Sequence, residues 1–338
     1  MEMTPRKEKI LSSVVRDFAK SGEPVGSKAI AEEIGVSSAT VRNEMAELIE
    51  LGLLEQPHTS AGRIPSQRGY REYVDHLMRV PVLREEEERW FTSMLARSAY
   101  EPERLLLSVC RLLSSVTRYA AAVTTPSGMT ARVKAVQFVQ TSRRTAMLLL
   151  MSSAGTMKTR VFHCDFDLSG EILRVLFRLF NEKVTGKEVL EITPAFLQSM
   201  GASLGEMMVL AGSALQALLE AARDTAKTEV LTSGQMDLLL YPELEHRQIM
   251  DFLERKEDVV SLLRQKPGRV SILIGSESQR PELKNASFLI SRYAVEEQDV
   301  GALALLGPTR MDYARLTAIL QYLTKEVGQM LTVLTREE

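Results

Sequence analysis

The chemistry of the N-terminal quarter concentrates in two neighbouring stretches, Ser37-Ser38-Ala39-Thr40-Val41-Arg42-Asn43-Glu44-Met45 and Gln56-Pro57-His58-Thr59-Ser60-Ala61-Gly62-Arg63-Ile64-Pro65. Read as a helix, the first places Val41, Met45 and Leu48 at i, i+4 and i+7, a stripe that can be buried. Ser38, Thr40, Arg42 and Asn43 are then left facing outward near the helix start. Short hydroxyls, an amide and a guanidinium at an exposed helix N-terminus suit phosphate oxygens and base edges. The second stretch is too rich in Gly, Pro, Ser and Thr for a regular element and reads as a tight hairpin, with Arg63 at its tip and His58, Thr59 and Ser60 beside it. Together these residues point to double-stranded DNA.

The elements that must hold them follow from periodicity. Ile10, Val14, Val15 and Phe18 recur at helical spacing over 6–21, and Ser21-Gly22 ends that helix. A short second helix opens with Ser27 as its expected N-cap and turns Ala29, Ile30 and Ile34 inward. Gly35-Val36-Ser37 is the turn, and a third helix over 38–51 stops at Gly52. Helix, helix, glycine turn, helix and hairpin outline a winged helix-turn-helix over 1–80. Ser66 caps a further helix bearing Tyr70, Tyr73, Val74 and Leu77, and Val80-Pro81 is a linker.

Beyond it, 81–119 reads as two helices, 85–98 and 102–119, whose apolar faces (Trp90, Met94 and Leu95 on the first) suit packing or coiled association. Strands are expected at 133–139, 145–151 and 156–163, the last two joined by a Ser152-Ser153-Ala154-Gly155 hairpin. A helical block follows over 168–183 and 194–227. Its segment 200–219 is unusually apolar, fitting either a subunit interface or an interior helix. A helix over 243–264, strands at 269–274, 286–294 and 301–306, and a helix over 312–331 complete the chain. Strands on both sides of a helical block indicate an α+β fold carrying an insertion: 120–165 and 229–338 as one domain, 166–228 inserted into it.

The totals remove other classes. A 338-residue chain with 45% hydrophobic and 25% charged residues can build two or three cores and is not disordered. No apolar run reaches membrane length, and the start lacks a signal core, so a cytoplasmic protein is expected. Two cysteines, Cys110 and Cys164, make no disulfide framework and no metal-ligand spacing. Phosphate-loop, HExxH, GxSxG and CxxC patterns are missing, so no enzyme, metal or cofactor is expected. His163-Cys164-Asp165 alternates across a strand end, and Glu85-Glu86-Glu87-Glu88 suits a solvated helix N-terminus. A net charge of −2 gives no general attraction to phosphate, so the cations must gather on one face, and a dimer would double a small contact set. Arg42 can instead pair with Glu47 or Glu50, and His58 can merely fix the wing turn.

At Ser38–Met45, at the wing decapeptide, at Gly69-Tyr70-Arg71 and at Gly307-Pro308-Thr309-Arg310-Met311-Asp312-Tyr313, the chain resembles the HrcA family of heat-inducible transcription repressors. The resemblance implies a cytoplasmic homodimer that binds an inverted-repeat operator, CIRCE, and represses chaperone operons until heat shock. It also implies a winged helix, a GAF-like domain, an inserted dimerising domain and a chaperonin as modulator. An effector-sensing regulator with a ligand in the GAF-like domain is the alternative. The chain departs from the family pattern at Glu72, at Ile274-Gly275-Ser276-Glu277-Ser278 and at Tyr241-Pro242-Glu243-Leu244, all outside the DNA-reading segments.

Overall fold

The computed structural model describes residues 3–58, 61–126, 131–202, 208–264, 269–295 and 298–336. Helix α1 (Pro5–Ser21) starts where Thr4 accepts a hydrogen bond from the Lys7 amide and stops at Gly22 in the left-handed region. Helices α2 (Ser27–Ile34) and α3 (Ser38–Glu50) cross it around Ile10, Leu11, Val14, Ile30, Val41, Met45 and Leu48, all buried. Each such side chain taken out of water contributes about 1.5–3 kcal/mol. Strands β1 (Leu54–Glu55) and β2 (Ile64–Pro65) pair antiparallel to form the wing. Helix α4 (Gln67–Glu72), capped by Ser66 as expected, runs into one π-helical turn, Tyr73–Leu77.

After the linker come α5 (Glu85–Ala96) and α6 (Pro102–Thr117). The body is a five-stranded antiparallel sheet in the order β7-β3-β10-β9-β8, formed by Val230–Ser233, Ala120–Thr124, Gln298–Pro308, Ala286–Val295 and Val270–Ile274. Alternation along β10 sends Leu303 and Leu305 to one face, and Ala302, Ala304 and Leu306 to the other. The first face packs on α6 and on α12 (Tyr313–Arg336). The second packs on α10 (His246–Glu254) and α11 (Lys256–Arg264). The core of the first face continues without a break into the winged helix through Tyr70, Tyr73, Met311 and Tyr313.

Strands β3 and β7 are neighbours in that sheet, so the chain between them is an insertion. It holds a second antiparallel sheet, β4-β5-β6 (Val133–Gln140, Thr145–Ser152, Met157–His163), with α7 (Gly170–Val184), α8 (Pro194–Ala202) and α9 (Met208–Ala226). Leu148, Leu150, Phe162, Phe180, Ala214, Leu218 and Ala222 share its separate core.

Several expectations change. Among the described residues the strands over 133–163 form a sheet of their own and share a core with the inserted helices, so the two sheets part near 125 and 229, not at 165. Strand periodicity cannot reveal which sheet a strand joins. The helix expected over 243–264 breaks at Arg255 into α10 and α11. In the apolar segment 200–219, Ala211, Ala214, Leu215 and Leu218 are interior, packed in the inserted core. Ser27 is not a cap: Gly26 holds that position, and the Ser27 hydroxyl turns elsewhere. On α5, Phe91 and Leu95 are buried, while Trp90 and Met94 face outward.

Candidate nucleic-acid interface

Helix α3 is fixed from below and from its start. Val41, Met45 and Leu48 bury the predicted stripe, and Ser37 caps the helix by accepting the Thr40 amide at 3.0 Å. The Ser37 and Thr40 hydroxyls share a hydrogen bond of 2.8 Å. The Ser38 hydroxyl meets that of Ser27 at 2.9 Å, tying the starts of α2 and α3 together. Ser38 and Thr40 therefore shape the helix start before they can touch a ligand.

Arg42 and Asn43 are different. Both are exposed, and among the described residues neither side chain has a hydrogen bond or ion pair. The alternative of an Arg42–Glu47 pair is not formed among the described residues, and Glu47 binds Lys7 Nζ at 2.8 Å. Lys7 also lies 3.8 Å from Glu44. A guanidinium and an amide thus face solvent in the second turn of a capped helix, beside a start whose macrodipole favours anions.

The wing holds the second group. Val25 and Arg63 exchange backbone hydrogen bonds of 2.9 and 2.8 Å, so the wing is stitched to the chain just before α2. A side chain at Gly62 would lie 2.5 Å from the Val25 carbonyl, which is why glycine stands there. Arg63 is not at the turn, as the spacing suggested, but at the foot of the wing beside β2. Its Nη1 donates to the Ala61 and Gly62 carbonyls at 3.1 and 3.4 Å, and its Nε is buried without a partner among the described residues. Arginine in a short, tightly returning loop is bent back by the carbonyls within its reach. His58 is exposed, and its backbone carbonyl, not its ring, fixes the turn by accepting the Ala61 amide at 2.9 Å. Thr59 and Ser60 lie outside the described residues. Ser38, Thr40, Arg42 and Asn43 are brought together at the start of α3, while Arg63 and His58 belong to the wing.

What residue spacing did not reveal is how this reader is mounted. Gly69 lets α4 pass so close to Leu53 that an added Cβ would sit 2.0 Å from its carbonyl oxygen. Tyr70 then meets Tyr313 edge to face at 5.8 Å. Arg71 binds Glu277 through two nitrogens and donates to the Ile272 carbonyl at 2.7 Å. Gln67 donates to the Ile274 carbonyl at 2.8 Å and accepts from the Ser276 hydroxyl at 2.9 Å. Arg310 pairs with Glu243, lies over the Tyr241 ring at 5.4 Å, and approaches Gly22 closely enough to contact an added Cβ at 3.1 Å. The 307–313 stretch, which had no assigned role, is therefore the seat of the winged helix. The departures at 241–244 and 274–278 fall on this junction. The Gly69-Tyr70-Arg71 triplet was the one available signal, a glycine and an aromatic directly after the wing.

Comparison with known proteins agrees with this anatomy. Residues 2–75 match the family model described as winged helix-turn-helix transcription repressor, HrcA DNA-binding, and residues 103–317 match that for the HrcA protein C-terminal domain. The heat-inducible transcription repressor HrcA of Desulforudis audaxviator is 35% identical over 99% of this chain and all of its own length. That of Moorella thermoacetica is also 35% identical, with the same coverage. The Carboxydothermus hydrogenoformans protein of the same name is 33% identical over 96% of this chain and 97% of its own. A crystal structure described as that of a hypothetical protein, 22% identical, superposes with a TM-score of 0.67 over 98% of this chain and all of that one, and so shares the fold.

Proposed function

This chain belongs to the HrcA family of heat-inducible transcription repressors, and on that premise we propose that it acts in the cytoplasm as a homodimer on an inverted-repeat operator of the CIRCE type, each winged helix taking one half-site. It is a repressor and not an enzyme. The observation that carries the operator reading is the pair Arg42 and Asn43, exposed and unengaged among the described residues, on a helix whose opposite face is locked in the core. Arg42 reads a guanine edge in the major groove. Ser38, Thr40, His58, Thr59, Ser60 and Arg63 add phosphate or wing contacts. Occupying the operator blocks transcription of chaperone operons, and heat relieves the block by depopulating the binding-competent dimer.

The five-stranded sheet with helices on both faces supports the GAF-like description of the body, and the insertion is the dimerising unit. In favour of that role is the outer face of β4-β5-β6, where Val139, Met157 and Val161 are exposed beside Met147, Leu149 and Met151 in register across the strands. An apolar sheet face of this kind calls for cover. Family likeness alone supports a chaperonin as modulator; adding chaperonin should raise the operator-active fraction of purified protein.

The test is a titration of fluorescent inverted-repeat and scrambled duplexes at several salt concentrations, beside sedimentation of the same samples. A dimer that prefers the inverted repeat is expected. Equal affinity for both duplexes, or binding by a single subunit, sinks the reading. The effector-sensing alternative has one observation behind it, a cleft of about 870 Å3 between the winged helix and the body, lined by Lys9, Arg16, Tyr73, Arg79, Asp312 and Arg315. Its size is that of a ligand site. A small molecule that raises the melting temperature and also shifts operator affinity would favour it.

A further inference from the structure

Helix α5 is held on one side and bare on the other. Phe91 and Leu95 are buried. The Thr92 hydroxyl donates to Glu326 Oε2 at 2.9 Å and lies 2.7 Å from the Tyr322 hydroxyl, while Glu87 pairs with Arg315. These contacts with α12 set the helix rotation. The opposite stripe at i, i+4, i+7 and i+8 is Glu86, Trp90, Ser93 and Met94, continued at i+11 by Arg97, the C-cap residue just past the helix end. Trp90 is 47% and Met94 39% exposed, two large apolar side chains four residues apart on one face.

The order of residues along the stripe is self-complementary. An acid stands at one end, a base about 16 Å away at the other, and two large apolar groups flank a small serine between them. Turned end for end about a two-fold axis between positions 91 and 92, the stripe meets its own copy with Glu86 opposite Arg97 and Trp90 opposite Ser93, one residue from Met94. Opposite charges then meet at both ends, and each indole comes within one residue's rise of a methionine sulfur, a favourable neighbour. Among the described residues neither Glu86 nor Arg97 has an ion pair within the chain. A parallel arrangement would set like charges together at both ends, and a partner of single charge sign would leave one end unmatched.

We propose that the outer stripe of α5 pairs antiparallel with the same stripe of a second copy of this chain, an isologous contact separate from the insertion. It rests on the homodimer reading above. Because α5 begins a few residues after the winged helix, this pairing sets the separation of the two recognition helices, and so the half-site spacing the dimer accepts.

Trp90 is the single tryptophan of the chain, so its fluorescence reports this contact alone. In the full-length protein, emission should shift to the blue and acrylamide quenching fall as dilute subunits associate in sedimentation runs. Arg97→Glu, which sets like charges opposite each other, should reverse both signals and weaken inverted-repeat binding by about tenfold. Adding Glu86→Arg to that variant should restore them. Ser93→Cys should give a covalent dimer with a short bis-maleimide, since Cys110 and Cys164 are buried. A dimer whose Trp90 is as accessible as in the monomer, or a charge swap that restores nothing, overturns the α5 pairing and leaves the homodimer intact. A chain that stays monomeric at every concentration overturns both.

Discussion

At the scale of single residues, side chains that look alike in the sequence carry different loads. Arg42 faces solvent with no partner among the described residues, whereas Arg63 rests on the carbonyls of its own wing. Replacing Arg42 with Ala should therefore cost about 1–3 kcal/mol on the operator and far less on random duplex. Equal losses on both would assign it to positioning, not reading. Two buried tyrosines differ in the same way. The Tyr313 hydroxyl donates to the Thr309 carbonyl at 2.6 Å and lies 2.8 Å from the Ser287 hydroxyl. The Tyr70 hydroxyl is buried with no hydrogen-bond partner among the described residues, and burial pushes its pKa well up. Tyr313→Phe should cost about 1 kcal/mol, because it strands the groups its hydroxyl satisfied. Tyr70→Phe should be neutral or slightly stabilising, because it removes a desolvated hydroxyl that no hydrogen bond offsets. Thermal melts of the two variants side by side decide the matter, and a substantial loss for Tyr70→Phe refutes the account of its hydroxyl.

At the scale of elements, the sequence was most legible where burial follows a local period. The stripe Val41, Met45 and Leu48, the Ser66 cap and the β5–β6 hairpin all lie where their spacing put them. Partnership between distant elements left no such trace. Nothing in 133–163 says that its strands pair away from the five-stranded sheet, and nothing in α5 says that α12 takes Phe91 instead of Trp90. In the site, the outward positions of α3 were legible; the turned-back Arg63 and the mounting through Gln67, Arg71 and Glu277 were not. The docking of α5 has its own electrostatic signature. The Arg315 side chain, helped by the Arg84 backbone amide, holds the Glu87 carboxyl down at about 2, below its ordinary value of 4.5. A carboxylate lowered by folding stabilises the native state above the unfolded pKa and loses that contribution as pH falls through the folded one. Glu87→Gln should therefore melt lower than the parent at pH 7, with the gap closing between about pH 4.5 and about pH 2. A gap that does not change with pH would assign the loss to packing.

At the scale of the whole molecule, the reader and the body share one apolar core, and a polar network crosses between segments about 200 positions apart in the chain. Arg71 holds Glu277, Gln67 holds the Ile274 carbonyl and Ser276, and Tyr70 leans on Tyr313. A winged helix mounted in this way cannot swing freely on its linker, so its orientation is a property of the body. A loosening of the body should therefore reach the DNA-reading helix through this joint. The parent protein should accordingly lose its winged helix and its body in a single calorimetric transition. Glu277→Ala leaves the Arg71 guanidinium half-buried with one carboxylate fewer. Both partners keep some solvent contact, so the loss is about 1–2 kcal/mol and not the larger cost of a fully buried pair. That loss falls on the joint alone, and an earlier transition belonging to the winged helix should separate from that of the body. Arg71→Met together with Glu277→Met removes the charge along with its partner and should bring the two transitions back toward one. If Glu277→Ala melts in one step at the parent temperature, the network does not couple the two, and the shared apolar core alone must hold the winged helix in place.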